Sequence, residues 1–300
     1  MKKCHILCLN GGGALAALEI HFLAMLDSSK QNLEGVDVLA GVSAGALLAA
    51  AMATGRSFGE IDTVFQKRAK ECFTKRFAAK INPLACPTYR SDTMEKVLNE
   101  MIGANFTMRD VKKIYPRLNV ILPSLNVSDD IYCPFHNFTH EYDSKKLVDL
   151  AMASSAAPTY FEGRDMDGRC YIDAGLIEVD PLLTATTMAK KYLGAPFLSQ
   201  RVMMLGSGMD RDPSPMPPKK YNSLSLLSVA TEILAEYATL SNKLFTKMCG
   251  NGLGLGYWNF WNPVEVEGKI DDTDQIPKLI ELADQHRAEF LAAWDEWLSK

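Results

Sequence analysis

The pentapeptide Gly41-Val-Ser-Ala-Gly45 constrains the fold of this chain more than any other stretch, because of what flanks it. Residues 36–40 before it are an apolar run interrupted by Asp37, and residues 44–54 after it are alanine-rich and free of charge. A short apolar run closed by glycine reads as a buried strand, and a longer run of helix formers reads as a helix. The pentapeptide therefore lies on a strand-to-helix turn. The same pattern occurs once earlier. Residues 3–9 (KCHILCL) end at Gly11-Gly12-Gly13, and residues 14–26 then place Leu18, Phe22, Met25 and Leu26 at helical spacing. Strand, turn, helix, strand, turn, helix in this order predicts a parallel βαβ unit with helices covering the sheet.

The rest of the chain continues as α/β. Ser57-Phe-Gly-Glu60 predicts a capping box that opens a helix to about Phe73, and Asp92 with Glu95 predicts the cap of a helix ending at Ile102. Asn82-Pro83 and Cys86-Pro87 mark a loop. Residues 118–125 and 131–135 read as strands, the first made irregular by Pro123. A helix over 145–153, a short strand over 170–172, a helix over 181–192 with proline in its first turn and a buried strand over 202–205 follow. Residues 210–218 hold four prolines and form a loop. Beyond them come a helical stretch (223–248), a glycine-rich turn (250–256), an aromatic strand (258–266) and one amphipathic helix (275–298) with Ile276, Leu279, Ile280, Ala283, Phe290, Trp294 and Trp297 on a single stripe. The expected organisation is an α/β catalytic core over 1–208, with 209–300 packed on the same domain.

Composition narrows the function. The 300 residues are 47% hydrophobic and 23% charged, which excludes disordered, collagen-like and coiled-coil chains. Thirty-two basic and 36 acidic side chains give a net charge of −4, so there is no basic footprint and nucleic acid is not the expected partner. Cysteines 4, 8, 72, 86, 133, 170 and 249 form no CxxC pair, which argues against a disulfide framework or a zinc site and for reduced thiols. The apolar run at 6–9 is too short for a secretory signal core. The charge-free stretch 38–55 contains a GxxxG pattern but is rich in alanine and glycine rather than leucine and isoleucine, so it does not read as a membrane span. A cytoplasmic protein is expected, with any membrane association peripheral.

Chemistry centres on Ser43. In G-x-S-x-G a nucleophile sits on a sharp turn that admits only small residues two positions to either side, which Gly41 and Gly45 supply. The following helix places its first amides and positive dipole end beneath the hydroxyl. The bare string also fits a plain glycine-rich turn; its place between strand and helix favours the elbow. Gly11, Gly12 and Gly13, in the neighbouring strand-to-helix turn, are able to aim successive amides at a developing oxyanion. A dinucleotide fingerprint over Gly11, Gly13 and Ala16 competes, but it needs an acidic residue where the second strand runs instead into Ala40-Gly41. None of the five histidines (5, 21, 136, 140, 286) follows a late strand in a turn, where a hydrolase base would stand. Asp173 ends the strand at 170–172 and is followed by Ala174-Gly175. Spacing alone leaves a general base and an ordinary turn aspartate equally open.

Asn10-Gly-Gly-Gly13, Gly41-Val-Ser-Ala-Gly45 and Asp173-Ala-Gly175, in this order, resemble the patatin-like phospholipases, as does Ala153-Ser-Ser-Ala-Ala-Pro-Thr-Tyr-Phe161 ahead of the aspartate. The resemblance spans residues 4–182. It implies a three-layer α/β/α fold with a mostly parallel sheet, a Ser43 nucleophile with Asp173 as general base, an oxyanion loop at Gly11, Gly12 and Gly13, and hydrolysis of lipid acyl esters without metal or other cofactor. Phospholipid or another acyl-ester lipid is the implied substrate, met through transient contact with a membrane surface. Three departures stand out. Ala14-Leu15-Ala16 replaces the family's usual x-Arg/Lys-Gly after the glycines, Ala174 replaces a glycine after the aspartate, and Asp180-Pro181 replaces Asn-Pro. Activity is still expected, reduced or dependent on an activator. A non-catalytic lipid-binding protein of the same fold and a soluble esterase or acyltransferase are the alternatives. Tyr257, Trp258, Phe260 and Trp261, or Trp294 and Trp297, are candidate membrane-docking groups, with core packing the favoured reading of both sets.

Overall fold

In the computed structural model, which describes residues 2–76, 86–208, 257–263, 266 and 269–300, the strand Cys4–Leu9 (β1) takes the middle of an eight-stranded sheet. Val38–Gly41 (β2) and Gln200–Leu205 (β7) flank it in parallel, and Tyr257–Trp261 (β8) lies parallel beside β7. Asn119–Asn126 (β3) runs parallel to β2, whereas Ile131–His136 (β4) and Arg169–Asp173 (β6) pair with it antiparallel. Arg164–Met166 (β5) pairs antiparallel with β6 at the edge.

The parallel strands are near-continuous apolar runs because both of their faces are covered. Their residues divide by alternation. Leu7, Leu9, Leu39, Met203 and Leu205 enter the larger core, while Ile6, Cys8, Val38, Ala40, Val202 and Met204 enter the smaller one. Each fully buried Leu, Ile or Val stabilises the fold by about 1.5–3 kcal/mol relative to an exposed one. The larger core is roofed by Ala17–Ala24 (α1), Ala44–Met52 (α2), Phe58–Cys72 (α3), Ser91–Ile102 (α4), Met108–Ile114 (α5) and Leu147–Ser154 (α6), the smaller by Leu182–Leu193 (α7). The expected three-layer α/β/α arrangement is therefore present. Helix α2 is buried along almost its whole length, which accounts for its uncharged, small-residue composition: strands lie on one side of it and α3, α4 and α6 on the other. No helix among the described residues is long and apolar enough to cross a membrane.

Several local expectations are corrected. The helix after the glycines starts as a 3₁₀ turn, Gly13–Ala16, before α1. Helix α4 begins at Ser91 with Arg90 as its N-cap. Asp92 lies inside its first turn, where it takes the Arg90 guanidinium (2.6 and 3.0 Å), and Glu95 pairs instead with Arg164 (2.8 Å). Strand β3 runs straight through Pro123 because the register sets it opposite Pro134, so two residues without N–H share one rung of the ladder. The C-terminal helix is two helices, Ile276–Gln285 (α8) and Arg287–Ser299 (α9), broken at His286. Helix α8 packs on α1 and α9 on β7 and β8, and one straight helix does not present its apolar side to both surfaces. The aromatic strand stops at Trp261. Helix α5, opened by a Thr107–Asp110 capping box, and the short polar strand β5 are additional to the elements read from sequence. The loop at Asn82-Pro83, the Pro-rich segment 210–218, the stretch 223–248 and the turn 250–256 lie outside the described residues, and with them the join between 1–208 and 209–300.

Candidate active site

Strand pairing brings the two halves of the site together. Strand β4 occupies one edge of β3 along residues 121–126. The other edge is shared: β2 pairs with Asn119, Val120 and Ile121, and β6, running the opposite way, pairs with Ser124, Leu125 and Asn126. The C-terminal ends of β2 and β6 thus approach each other head-on along β3. Ser43 follows the first and Asp173 ends the second.

Ser43 has φ 55° and ψ −124°, in the left-handed region that L residues avoid. Such a backbone costs on the order of 1–3 kcal/mol and persists where the surroundings dictate it. The surroundings here are two glycines. A Cβ on Gly41 would strike the Gly45 carbonyl, and one on Gly45 would lie 2.5 and 2.6 Å from the carbonyl oxygens of Leu9 and Asn10. Helix α2 can therefore start only this close to β1 and β2 if both positions lack side chains. The turn is pinned from outside by the Ser43 N–H, which donates to the Ser154 carbonyl at 3.2 Å.

Asp173 is buried, with no ion-pairing cation among the described residues. Burial pushes its carboxyl from the ordinary 3.8 up to about 6, partly offset by hydrogen bonds from the Ser43 hydroxyl and from the Gly175 N–H (2.7 Å). The Asp173 N–H donates to the Ala156 carbonyl at 3.1 Å, and Ser124, its register partner, donates its hydroxyl to the Ile172 carbonyl at 2.8 Å. Ser154 and Ala156 thus hold the serine and the aspartate from one short segment. Such a carboxylate is ionised at neutral pH yet basic enough to accept a proton.

The glycine loop lies against the serine. A Cβ on Gly11 would lie 3.2 Å from the Ser43 Cβ. The Gly11 N–H is already donated to the Val179 carbonyl (2.8 Å), and its carbonyl accepts from Ser207 Oγ (2.8 Å). Gly13 has φ 58°, and the N–H of Ala14 donates to the Ile270 carbonyl (2.7 Å). The amides of Gly12 and Gly13 have no acceptor among the described residues. Leu15 and Ala16, in place of a cation and a glycine, are fully buried in the core. Val179, Ser207 and Ile270 carry no motif; only their distant partners give them a role.

The histidines are engaged elsewhere. His21 meets Asp62 (2.8 Å), His140 meets Asp143 (2.9 Å), His286 meets Glu289 (3.2 Å), and the rings of His5 and His136 pack on Trp297 and Tyr192. Trp258, Trp294 and Trp297 are buried and Phe260 and Trp261 half-buried, packed against the two cores rather than displayed for a membrane.

A sequence model of the patatin-like phospholipases matches residues 7–186, which include the glycine loop, Ser43 and Asp173. The chain belongs to the patatin-like phospholipase family. This patatin-like chain is 33% identical over 196 residues to a cGAMP-activated phospholipase of Escherichia coli (strain TW11681), covering 60% of this chain and 54% of that protein. It is 32% identical over 281 residues to a cGAMP-activated phospholipase of Vibrio cholerae, covering 86% and 71%. It is also 27% identical over 213 residues to the rat 85/88 kDa calcium-independent phospholipase A2, covering 63% and 24%. It therefore spans about half the length of the E. coli relative. Among solved structures, VipD from Legionella pneumophila superposes with a TM-score of 0.42 at 13% identity, over 94% of this chain and 67% of that one, a likeness that carries no functional argument.

Proposed function

We propose that this chain is a lipid acyl hydrolase of the phospholipase A or lysophospholipase type, with Ser43 as nucleophile and Asp173 as its general base. One observation carries the reading: a serine on a strained elbow lies beside a buried carboxylate and lowers its pKa through its hydroxyl, and no cation among the described residues pairs with that carboxylate. In the forward step Ser43 Oγ bonds to the ester carbonyl carbon while its proton passes to Asp173. The amides of Gly12 and Gly13 steady the oxyanion, with Gly11 keeping the backbone close to Ser43. Collapse expels the alcohol, which leaves with the proton held by Asp173, and an acyl-Ser43 remains. Water then gives a proton to Asp173 and attacks the acyl carbon. The fatty acid departs and the proton returns to Ser43. The balance closes without metal or other cofactor.

The substrate class follows from the family, and a phospholipid is met at a membrane surface. The names of the two bacterial relatives add activation by cGAMP to the reading, and the loss of a loop cation at Leu15 fits a site that an activator completes. The test incubates the protein with phosphatidylcholine vesicles, with and without cGAMP, and identifies products by mass. Free fatty acid with lysophospholipid is expected in at least one condition. Diacylglycerol or phosphatidic acid as the product, or no release from vesicles or from a soluble short-chain ester under either condition, would overturn the reading.

A further inference from the structure

We infer that Tyr89 and Asp271 are positioning residues for the oxyanion loop: they tie the C-terminal segment across it and so set its distance from the Ser43–Asp173 pair. The inference rests on the hydrolase reading above. In this chain the loop has lost the cation at Leu15 and the glycine at Ala16, so its fixing must come from elsewhere. Two of its contacts come from the segment containing Ile270. The Ala14 N–H donates to the Ile270 carbonyl at 2.7 Å, and a Cβ on Gly13 would lie 3.0 Å from the Ile270 carbonyl carbon and 3.1 Å from its Cβ. Gly13, at φ 58°, thus takes its left-handed turn directly under that peptide.

The segment is itself braced. Asp272 Oδ1 accepts from the Asp274 N–H (3.1 Å), Gln275 Nε2 donates to the Lys269 carbonyl (2.9 Å), and Lys70 on α3 meets the Asp274 carboxylate (2.8 Å). Its link to the rest of the site is the Asp271 carboxylate, which accepts the hydroxyl of Tyr89. Tyr89 is fully buried, in T-shaped contact with Phe73 (5.3 Å between ring centres) and stacked at 6.1 Å on Tyr160. Burial and the neighbouring carboxylate hold its hydroxyl in the protonated, donating form.

Tyr89 also reaches the catalytic pair through its backbone. Its N–H donates to the Tyr160 carbonyl (2.8 Å), and the Thr88 N–H donates to the Thr159 carbonyl (2.9 Å). Residues 159 and 160 continue the segment whose Ser154 and Ala156 carbonyls take the N–H groups of Ser43 and Asp173. An unbroken line of contacts therefore runs from the oxyanion loop through Ile270, Asp271, Tyr89 and Tyr160 to the serine and the aspartate. Ile270 and Asp271 lie outside the family match at 7–186, so the anchor belongs to the part of the chain that the family motifs leave unassigned.

The experiment compares the full chain with Tyr89→Phe, Asp271→Asn, the double variant and Asp271→Glu. It measures kcat and KM on p-nitrophenyl butyrate, the rate of fluorophosphonate labelling, and the thermal midpoint. A loop displaced by a fraction of an ångström acts on the transition state rather than on substrate binding. Each single variant is therefore expected to lower kcat and labelling by about tenfold or more, with KM changed by less than about twofold. The double variant is expected to fall no further than the worse single one, because both remove the same bond, and Asp271→Glu to recover part of the loss. Wild-type rates in both single variants, losses that multiply in the double variant, or a raised KM at unchanged kcat would overturn the inference while leaving the hydrolase reading intact. A wild type that neither hydrolyses nor labels, with or without cGAMP, overturns the hydrolase reading and this inference with it. Tyr89→Phe keeps the ring packing and removes one oxygen, so it remains decisive if Asp271→Asn lowers the thermal midpoint.

Discussion

Replacing Ser43 by alanine is expected to lower kcat by about 10⁴-fold or more, because in the proposed mechanism Ser43 is the nucleophile and removing a unit of such a constellation costs nearly the whole of it. A glycine at the same position is expected to be equally inactive but to yield a more stable protein than the alanine variant. Alanine keeps a Cβ and with it the strain of φ 55°, whereas glycine adopts that backbone freely. Relief of about 1–3 kcal/mol of strain, less up to about 1 kcal/mol for the greater freedom of glycine in the unfolded chain, predicts that Ser43→Gly exceeds Ser43→Ala by about 1 kcal/mol. Denaturant titration of the two variants checks this. Equal stability would mean that the elbow stores no strain, and residual turnover in either variant would remove Ser43 from the mechanism.

Asp173→Asn separates activity from stability in the opposite direction. Loss of the proposed base is expected to lower kcat by about 10²–10⁴-fold. The fold is expected to gain. The folded protein holds the Asp173 proton up to about 6, against 3.8 for the free carboxyl. Below pH 3.8 both states are protonated and the group carries no penalty. As pH rises the unfolded chain ionises first, so stability falls until the folded carboxyl has also ionised, above about 6. The gap amounts to about 3 kcal/mol, fully expressed at pH 8. Asparagine keeps an acceptor for the Gly175 N–H without the charge. The variant is therefore expected to be more stable than wild type by up to about 3 kcal/mol at pH 8, the difference shrinking towards pH 4. The same titration predicts that wild-type kcat/KM rises about tenfold per pH unit below 6 and levels off above it. A variant that is less stable at pH 8, or a flat activity profile between pH 5 and 7, would contradict a desolvated catalytic carboxylate.

These two residues were not equally legible. The demands on Ser43 are local: a strand, a turn too tight for a side chain at 41 or 45, and a helix, all within one stretch of sequence. The resulting steric reason is visible in the carbonyls that a Cβ on Gly41 or Gly45 would strike. Asp173 is not local. Its sequence marks only the end of a short strand, and its meeting with Ser43 depends on β2 and β6 sharing one edge of β3, which register alone decides. The resemblance named the residue; it did not supply the Ser154 and Ala156 carbonyls that hold the pair, or Val179, Ser207 and Ile270 around the glycine loop. Apart from the Ala156–Asp173 bond, those contacts join residues more than a hundred positions apart, and none leaves a periodicity to read. The same limit explains the smaller corrections. The stripe on residues 275–298 located the buried side correctly, yet the break at His286 follows from two packing surfaces, α1 and the β7–β8 edge. Strand β5, three residues of Arg-Asp-Met, has no apolar alternation and is placed by β6 and by the pairing of Arg164 with Glu95.

The most direct measurement of the proposed chemistry is intact-mass analysis after reaction with a fluorophosphonate, which captures an activated serine as a covalent adduct. One adduct per chain located at Ser43, none on Ser43→Ala and much slower capture by Asp173→Asn is the predicted result. Capture that persists in Ser43→Ala, or that proceeds at the wild-type rate in Asp173→Asn, would contradict a serine made nucleophilic by this aspartate.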